Sequence, residues 1–156
     1  YHVAVIRAPM IYGRGAKGNY QILSKLAKRT PIFPDIKNNR SMLYIDNLCE
    51  FVCLLSLSGE SGIYFPQNAE YSNTSSMVKI ISQTIEKKTC FTKIFNLGLK
   101  MASHIPGKLS KVINKAFGNL TYSPQLSIYK GLNYQLIDLK TSIALTERNE
   151  KINKEK

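Results

Sequence analysis

Apolar residues fall along this chain in two rhythms. Val3, Ala4, Val5 and Ile6 form an unbroken run rich in β-branched side chains and bounded by Pro9, the pattern of a strand from His2 to Arg7 buried on both faces of a parallel sheet. Further short extended segments are expected over Thr30–Ile36, Met42–Ile45 and Gly62–Gln67. Between them the spacing turns helical. Asn19 stands as an N-cap for a helix to about Arg29 with Ile22, Leu23 and Leu26 on one face, and Pro31 stops it. Asn47 is expected to cap a second helix, where Leu48, Phe51, Val52 and Leu55 fall at i, i+3, i+4 and i+7 and Glu50 sits at the capping-box spacing. Gly59 and Gly62 close that unit. Asn73-Thr74-Ser75 opens a third helix with Met77, Val78, Ile81 and Ile85 as its stripe. Two more helices are expected over Ile94–Ser103 and Lys108–Phe117, divided by Pro106-Gly107, and a last one from Asp138 to about Thr146. Tyr12 to Gly18 reads as loop, and Phe117 to Tyr122 as extended chain or turn.

Strands alternating with helices predict an α/β fold. Only two or three strands are distinct, fewer than a doubly wound sheet requires. The first strand, apolar on both faces, has the character of a central strand. The chain also opens directly on that strand, without an initiator Met, which points to a piece of a longer polypeptide. The expected organisation is a first part over 1–67, a mostly helical part over 68–146, and a charged tail over 147–156 that composition marks as disordered.

Length and composition narrow the classes. A chain of 156 residues is about one domain and buries a real core. No apolar run approaches the ~20 residues of a membrane span; the longest, Leu48 to Leu57, is broken by Glu50. No signal peptide is evident, so a cytoplasmic protein is expected. The net charge is +12, and eight lysines but no acid lie between Lys87 and Ile137. Such a surface favours anionic partners. A solvated lysine-rich face explains the charge as simply; a basic module for nucleic acid or anionic surfaces is the alternative. No RNP-like, zinc-finger or helix-turn-helix signature accompanies it, and arginines are few.

The three cysteines, Cys49, Cys53 and Cys90, cannot all pair within the chain, and a reducing compartment follows. Cys49 and Cys53 share a helix face. A zinc site would need two further ligands, with only His2 and His104 to offer imidazole, so no metal is expected and the cysteines read as buried small hydrophobes.

Several residues have chemistry beyond packing. Pro9 follows a strand's end, where open α/β sheets bind ligands; its rigid ring either walls a ligand or merely ends the strand. Tyr12 either faces that ligand or packs. Arg40, in the polar loop Lys37-Asn38-Asn39-Arg40, offers the planar charged fork a diphosphate needs, or is an ordinary surface arginine. Lys17-Gly18-Asn19 precedes a helix N-terminus, which attracts anions; Asn19 either caps or contacts a ligand.

Arg7-Ala8-Pro9-Met10-Ile11-Tyr12-Gly13, then Lys17-Gly18-Asn19, then Asn39-Arg40-Ser41-Met42-Leu43-Tyr44-Ile45-Asp46-Asn47-Leu48 resembles, in order and spacing, the second half of nucleotide-sugar-modifying enzymes of the extended short-chain dehydrogenase/reductase family. Gly62-Ile63-Tyr64-Phe65 looks like the family's next sheet strand, and Phe117 to Ser123 like its late segment closing over the sugar nucleotide. The likeness runs from about residue 3 to 145, strongest from 5 to 65. It is closest to bacterial epimerase/dehydratase or 4-reductase enzymes that supply sugars for surface polysaccharides.

The resemblance implies the C-terminal portion of a Rossmann-like fold, with the first part interleaving sheet and substrate loops. It implies a nucleotide-diphosphate sugar as substrate, NAD or NADP in the full-length enzyme, a missing N-terminal Rossmann half as partner, and a homodimer when complete. It assigns Arg40 to phosphate, and Lys17 and Asn19 to the nucleotide. Phe33, in Ile32-Phe33-Pro34, lies beside the base or packs in the core. Met10 sits where some epimerases carry a polar substrate contact, and Pro9 and Tyr12 border the cofactor. Asn47 keeps a structural role. Two features of the family are absent: the dinucleotide loop Gly-x-x-Gly-x-x-Gly, since glycines 13, 15 and 18 have the wrong spacing, and the catalytic Tyr-x-x-x-Lys. No catalytic residue is therefore assigned, and the chain alone is expected neither to hold the cofactor nor to turn over.

Overall fold

The computed structural model describes residues 3–96 and 117–152. Among these residues six short strands form three parallel pairs. Strand β1 (Ala4–Ile6) pairs with β5 (Gly62–Tyr64), β2 (Met10–Tyr12) with β4 (Met42–Tyr44), and β3 (Ile32–Pro34) with β6 (Cys90–Thr92). Parallel pairing requires long crossovers. Helices α1 (Asn19–Arg29), α2 (Ile45–Ser58) and α3 (Thr74–Thr84) supply them, and α4 (Leu139–Ile152) ends the described chain. No described helix is long and apolar enough to cross a membrane.

Strand β4 divides the interior. Its three residues are all buried, and strand alternation sends Met42 and Tyr44 to one side and Leu43 to the other. On the first side Tyr12, Tyr20, Ala27, Phe33, Met77, Val78, Ile81, Leu139 and Ile143 complete a cluster, so the core draws on residues on both sides of position 67. On the second, Leu43 packs with Phe51 and Leu55 of α2, Tyr64 and Tyr134. Phe51 is ringed by the aromatic edges of Tyr64, Tyr129 and Tyr134, with centroids at 5.9, 5.4 and 4.9 Å.

The alternating order, the parallel pairing and the third helix agree with the sequence pattern. Asn73 caps α3 as expected: its side-chain oxygen accepts from the N–H groups of Ser75 at 2.9 Å and Ser76 at 3.1 Å. Gly59 takes the left-handed conformation (φ 66°) that closes α2.

Other expectations are corrected. Strand β1 is shorter than expected and is not buried: Val3 and Val5 are 59% and 43% exposed, since β5 is the one strand paired with it among the described residues. Tyr12 lies in a strand rather than a loop. Strand β6 is an addition, because Cys-Phe-Thr shows too short a pattern to read. Helix α1 begins at Asn19 with Gly18 at the cap position and no side-chain capping bond, so Asn19 is not the cap. The helix buries Tyr20, Ser24 and Ala27, while Ile22 and Leu26 face outward. Ala27 shares the core cluster with Met77, Val78 and Ile81 of α3.

Asn47 is likewise no cap. Helix α2 starts two residues earlier, and the buried amide bridges elements: it donates to the Ile137 carbonyl at 2.9 Å and accepts from the Ile137 N–H at 3.1 Å. Cys49, Cys53 and Cys90 are free and exposed, not buried. Among the described residues no cluster of three or more His, Cys, Asp or Glu side chains could hold a metal.

The expected tail begins at Glu147, and helix α4 runs on to Ile152. Helix α4 continues because Glu147 is 1% exposed and anchored, by Lys28 Nζ at 2.6 Å and the Tyr20 hydroxyl at 2.9 Å. Composition marks that segment as charged but not the buried partners awaiting it. A helix starts at Ile94. The remainder of the one expected to Ser103, nearly all of the one over Lys108–Phe117, both histidines and residues 153–156 lie outside the described residues.

Candidate functional site

Strand β2, the start of α1, the loop before β4 and residues 118–120 converge on one open cleft of 680 Å³. Met10 and Ile11 come from β2. Lys17, Gly18 and Asn19 come from the entry to α1, whose first-turn N–H groups have no side-chain cap. Arg40 enters from the β4 side, and Gly118, Asn119 and Leu120 close the wall. The described lining thus holds two cations and no acid.

The Arg40 loop is fastened at several points. Asn38 exchanges bonds with Thr74 at the start of α3, its amide donating to Oγ1 and its oxygen accepting from the backbone N–H, each at 2.9 Å. Asn73 donates to the carbonyls of Ile36 and Asn38. The backbone of Arg40 exchanges two 2.9 Å bonds with Ser72, while Ser41 N–H donates to Leu120 and Leu120 N–H to Asn39. The Arg40 guanidinium donates to the Gly118 carbonyl at 3.2 Å. The residue is 6% exposed, and burial lowers its pKa from the ordinary value; a guanidinium stays charged all the same. The guanidinium is thus held firmly at the edge of a cleft with no acid in its described lining.

Of the residues singled out by sequence, Met10, Lys17, Asn19 and Arg40 meet in the cleft. Phe33 does not: it is 2% exposed, with the rings of Phe91 and Phe117 at 6.3 and 6.2 Å, so no face remains for a base. Tyr12 is also spent in the core. It is fully buried, stacks on Tyr20 at 5.2 Å, shares a 2.5 Å hydrogen bond with Ser142 and accepts from Asn68 at 3.0 Å. Burial raises its pKa to about 12, so it is neutral and inert near neutrality. Pro9 is half-buried between β1 and β2, outside the cleft lining. The resemblance places Phe117 to Ser123 over the sugar nucleotide as a segment, but Ile11, Gly118, Asn119 and Leu120 carry no individual role in the sequence. Only the bridge of Leu120 to Arg40, across eighty positions of sequence, brings that wall into place.

No family model and no curated protein matches this sequence. Solved structures do resemble it. A UDP-glucose 4-epimerase of Thermus thermophilus, in complex with NAD, superposes over 95% of this chain and 46% of its own with a TM-score of 0.65 at 16% identity. RMD of Pseudomonas aeruginosa, complexed with NADPH, matches 98% of this chain and 49% of its own, with a TM-score of 0.66 at 12% identity. A UDP-glucose 4-epimerase of Thermotoga maritima, with UDP-glucose, matches 96% and 46%, with a TM-score of 0.56 at 15% identity. The chain therefore has the Rossmann-like fold of NAD(P)-dependent epimerase/dehydratase structures and spans just under half the length of these three.

Proposed function

We propose that this chain is the substrate-gripping, C-terminal part of an NAD(P)-dependent nucleotide-sugar epimerase, dehydratase or reductase, acting in the cytoplasm on sugars destined for surface polysaccharide. The observation that carries the reading is the meeting of Lys17, Asn19 and Arg40 at the uncapped start of α1, in a cleft whose described lining holds no acid. A helix N-terminus and a planar guanidinium are complementary means of holding a diphosphate. The polysaccharide setting rests on the sequence resemblance alone.

The residues present do not fit the dinucleotide. Tyr12 has neither a free ring face nor a free hydroxyl, Pro9 offers one half-buried ring, and the sequence lacks the glycine-rich loop. NAD or NADP belongs, on this reading, to an N-terminal Rossmann half that completes the protein and through which it dimerises. The chain by itself binds the nucleotide end of the substrate weakly and does not turn it over.

A ¹H–¹⁵N NMR titration of the full chain with UDP at low ionic strength tests this. Shifts concentrated at residues 17–19, 40 and 118–120 are expected. Absence of binding, or shifts elsewhere, would sink the proposal. Salt-steep binding of duplex DNA without any response to UDP would instead favour a basic nucleic-acid module.

A further inference from the structure

Helix α1 contains no acidic residue, and the chain carries none before Asp35. One side of the helix is the core side: Tyr20, Ser24 and Ala27 are buried, and Lys28 turns to the buried Glu147 carboxylate at 2.6 Å. On the opposite side stand Ile22, Lys25, Leu26 and Arg29, all exposed. With 3.6 residues per turn these four fall inside an arc of about 100°, so they form one outward stripe. Ile22 is 66% and Leu26 40% exposed. The stripe thus sets two branched aliphatic side chains among two cations, and Arg14 and Lys17 are exposed in the loop that leads into the helix.

The chemistry of the stripe selects its partner. Nucleic-acid phosphates would satisfy Lys25 and Arg29 but offer nothing to Ile22 and Leu26. A stable protein interface takes about 20 residues a side, far more than this stripe supplies. A second copy of the chain would bring a further charge of +12 against the first. A bilayer surface containing anionic lipid accepts both components at once. Aliphatic side chains enter the boundary between headgroups and acyl chains, while Lys and Arg lay their stems along it and reach the headgroup phosphates. Such a surface deforms around what it receives, so a short stripe is enough.

We propose that the outward face of α1 docks this chain reversibly on a membrane surface rich in anionic lipid, with Lys25 and Arg29 at the headgroups and Ile22 and Leu26 just beneath them. The contact is peripheral, since no described helix is long and apolar enough to span a bilayer. It is independent of what the cleft holds. Because α1 begins at that cleft, docking keeps the cleft beside the headgroup layer.

The test uses the full chain with vesicles of phosphatidylcholine alone and of phosphatidylcholine mixed with phosphatidylglycerol. The unaltered chain should cosediment only with the anionic vesicles and should be released as salt rises. The chain has no tryptophan, so Ile22→Trp installs a single fluorophore on the stripe, and its emission should shift to the blue on binding. Lys25→Gln with Arg29→Gln should weaken binding about 30-fold, the loss of two cations near a charged surface. Ile22→Ser with Leu26→Ser, which keeps every charge, should weaken it about tenfold. All four positions are exposed, and circular dichroism checks the fold of each variant; if one pair unfolds, the other pair and the tryptophan variant still decide. No binding to anionic vesicles at low salt, equal binding to neutral ones, or a bound tryptophan variant with unshifted emission overturns the proposal. Binding unmoved by a folded pair overturns the assignment to this stripe. Duplex DNA binding that falls with the glutamine pair but not the serine pair, without vesicle binding, replaces the membrane by nucleic acid.

Discussion

Replacing Arg40 by Gln removes the charge and the planar fork while keeping an amide of comparable reach. Two consequences can be separated. In the fold, the substitution deletes one donor to the Gly118 carbonyl, at 3.2 Å, but that carbonyl keeps the Asn38 amide at 3.4 Å, and the backbone bridges to Ser72 and Leu120 do not involve the side chain. The stability cost is therefore at least that of one net hydrogen bond, about 1 kcal/mol. In binding, a hydrogen bond to a charged group contributes about 1.5–3 kcal/mol, which converts to a loss of about 10- to 150-fold in affinity for a diphosphate. Burial of the guanidinium limits screening, so moderate salt should not erase the effect. The assay pairs NMR titration with UDP and a thermal melt of the same samples. A melt close to that of the unaltered chain together with affinity changed less than twofold would refute the assignment of Arg40 to phosphate. Arg40→Lys, which retains charge without the fork, should recover only part of the affinity.

Three further outcomes follow from the packing. Gly13→Ala should cost about 2–4 kcal/mol in urea unfolding, because the backbone is at φ 141° and a Cβ would lie 2.3 Å from Ile45 Cγ2; a loss under about 1 kcal/mol would contradict this geometry. Glu147→Ala should cost about 2–3 kcal/mol by removing the buried carboxylate that Lys28 and the Tyr20 hydroxyl bind, and should raise hydrogen exchange in the last turns of α4; unchanged exchange there would refute the anchoring role. The Tyr12 phenol has its pKa raised by burial to about 12 from an ordinary value of 10.0, so its contribution, about 3 kcal/mol, is fully present below pH 10 and is lost as pH rises from 10 to 12. Alkaline unfolding in that window should be steeper than in Tyr12→Phe, as read by circular dichroism alongside phenolate absorbance. Identical alkaline midpoints and slopes would overturn it.

Legibility in the sequence follows the range of the interactions involved. The Asn73 cap and the Met77, Val78, Ile81 stripe of α3 are readable because both are decided within a few residues. Asn19 and Asn47 show the limit of the same reasoning. Each has cap chemistry, yet α1 starts with Gly18 as its cap residue, and α2 starts before Asn47 and uses that amide against Ile137. Ile22 and Leu26 keep helical spacing but lose the core to Ser24 and Ala27. Cys49 and Cys53 look like core residues only because nothing in their spacing marks which side of α2 is covered.

The sequence by itself determined the α/β class and the parallel pairing, because strand-to-helix alternation is written locally, and local polar chemistry singled out Lys17, Asn19 and Arg40; Met10 was marked only by the family resemblance. Tertiary structure alone decided the rest. It withdrew Tyr12 and Phe33 into the core, since only packing assigns an aromatic ring to solvent or to interior. It gave Glu147 the Tyr20 hydroxyl and Lys28 as partners. It also set Leu120 against Arg40, joining two segments eighty residues apart in one cleft. No local pattern encodes that contact, because the backbone bonds that make it exist only once the Arg40 loop is tied to both Ser72 and Leu120.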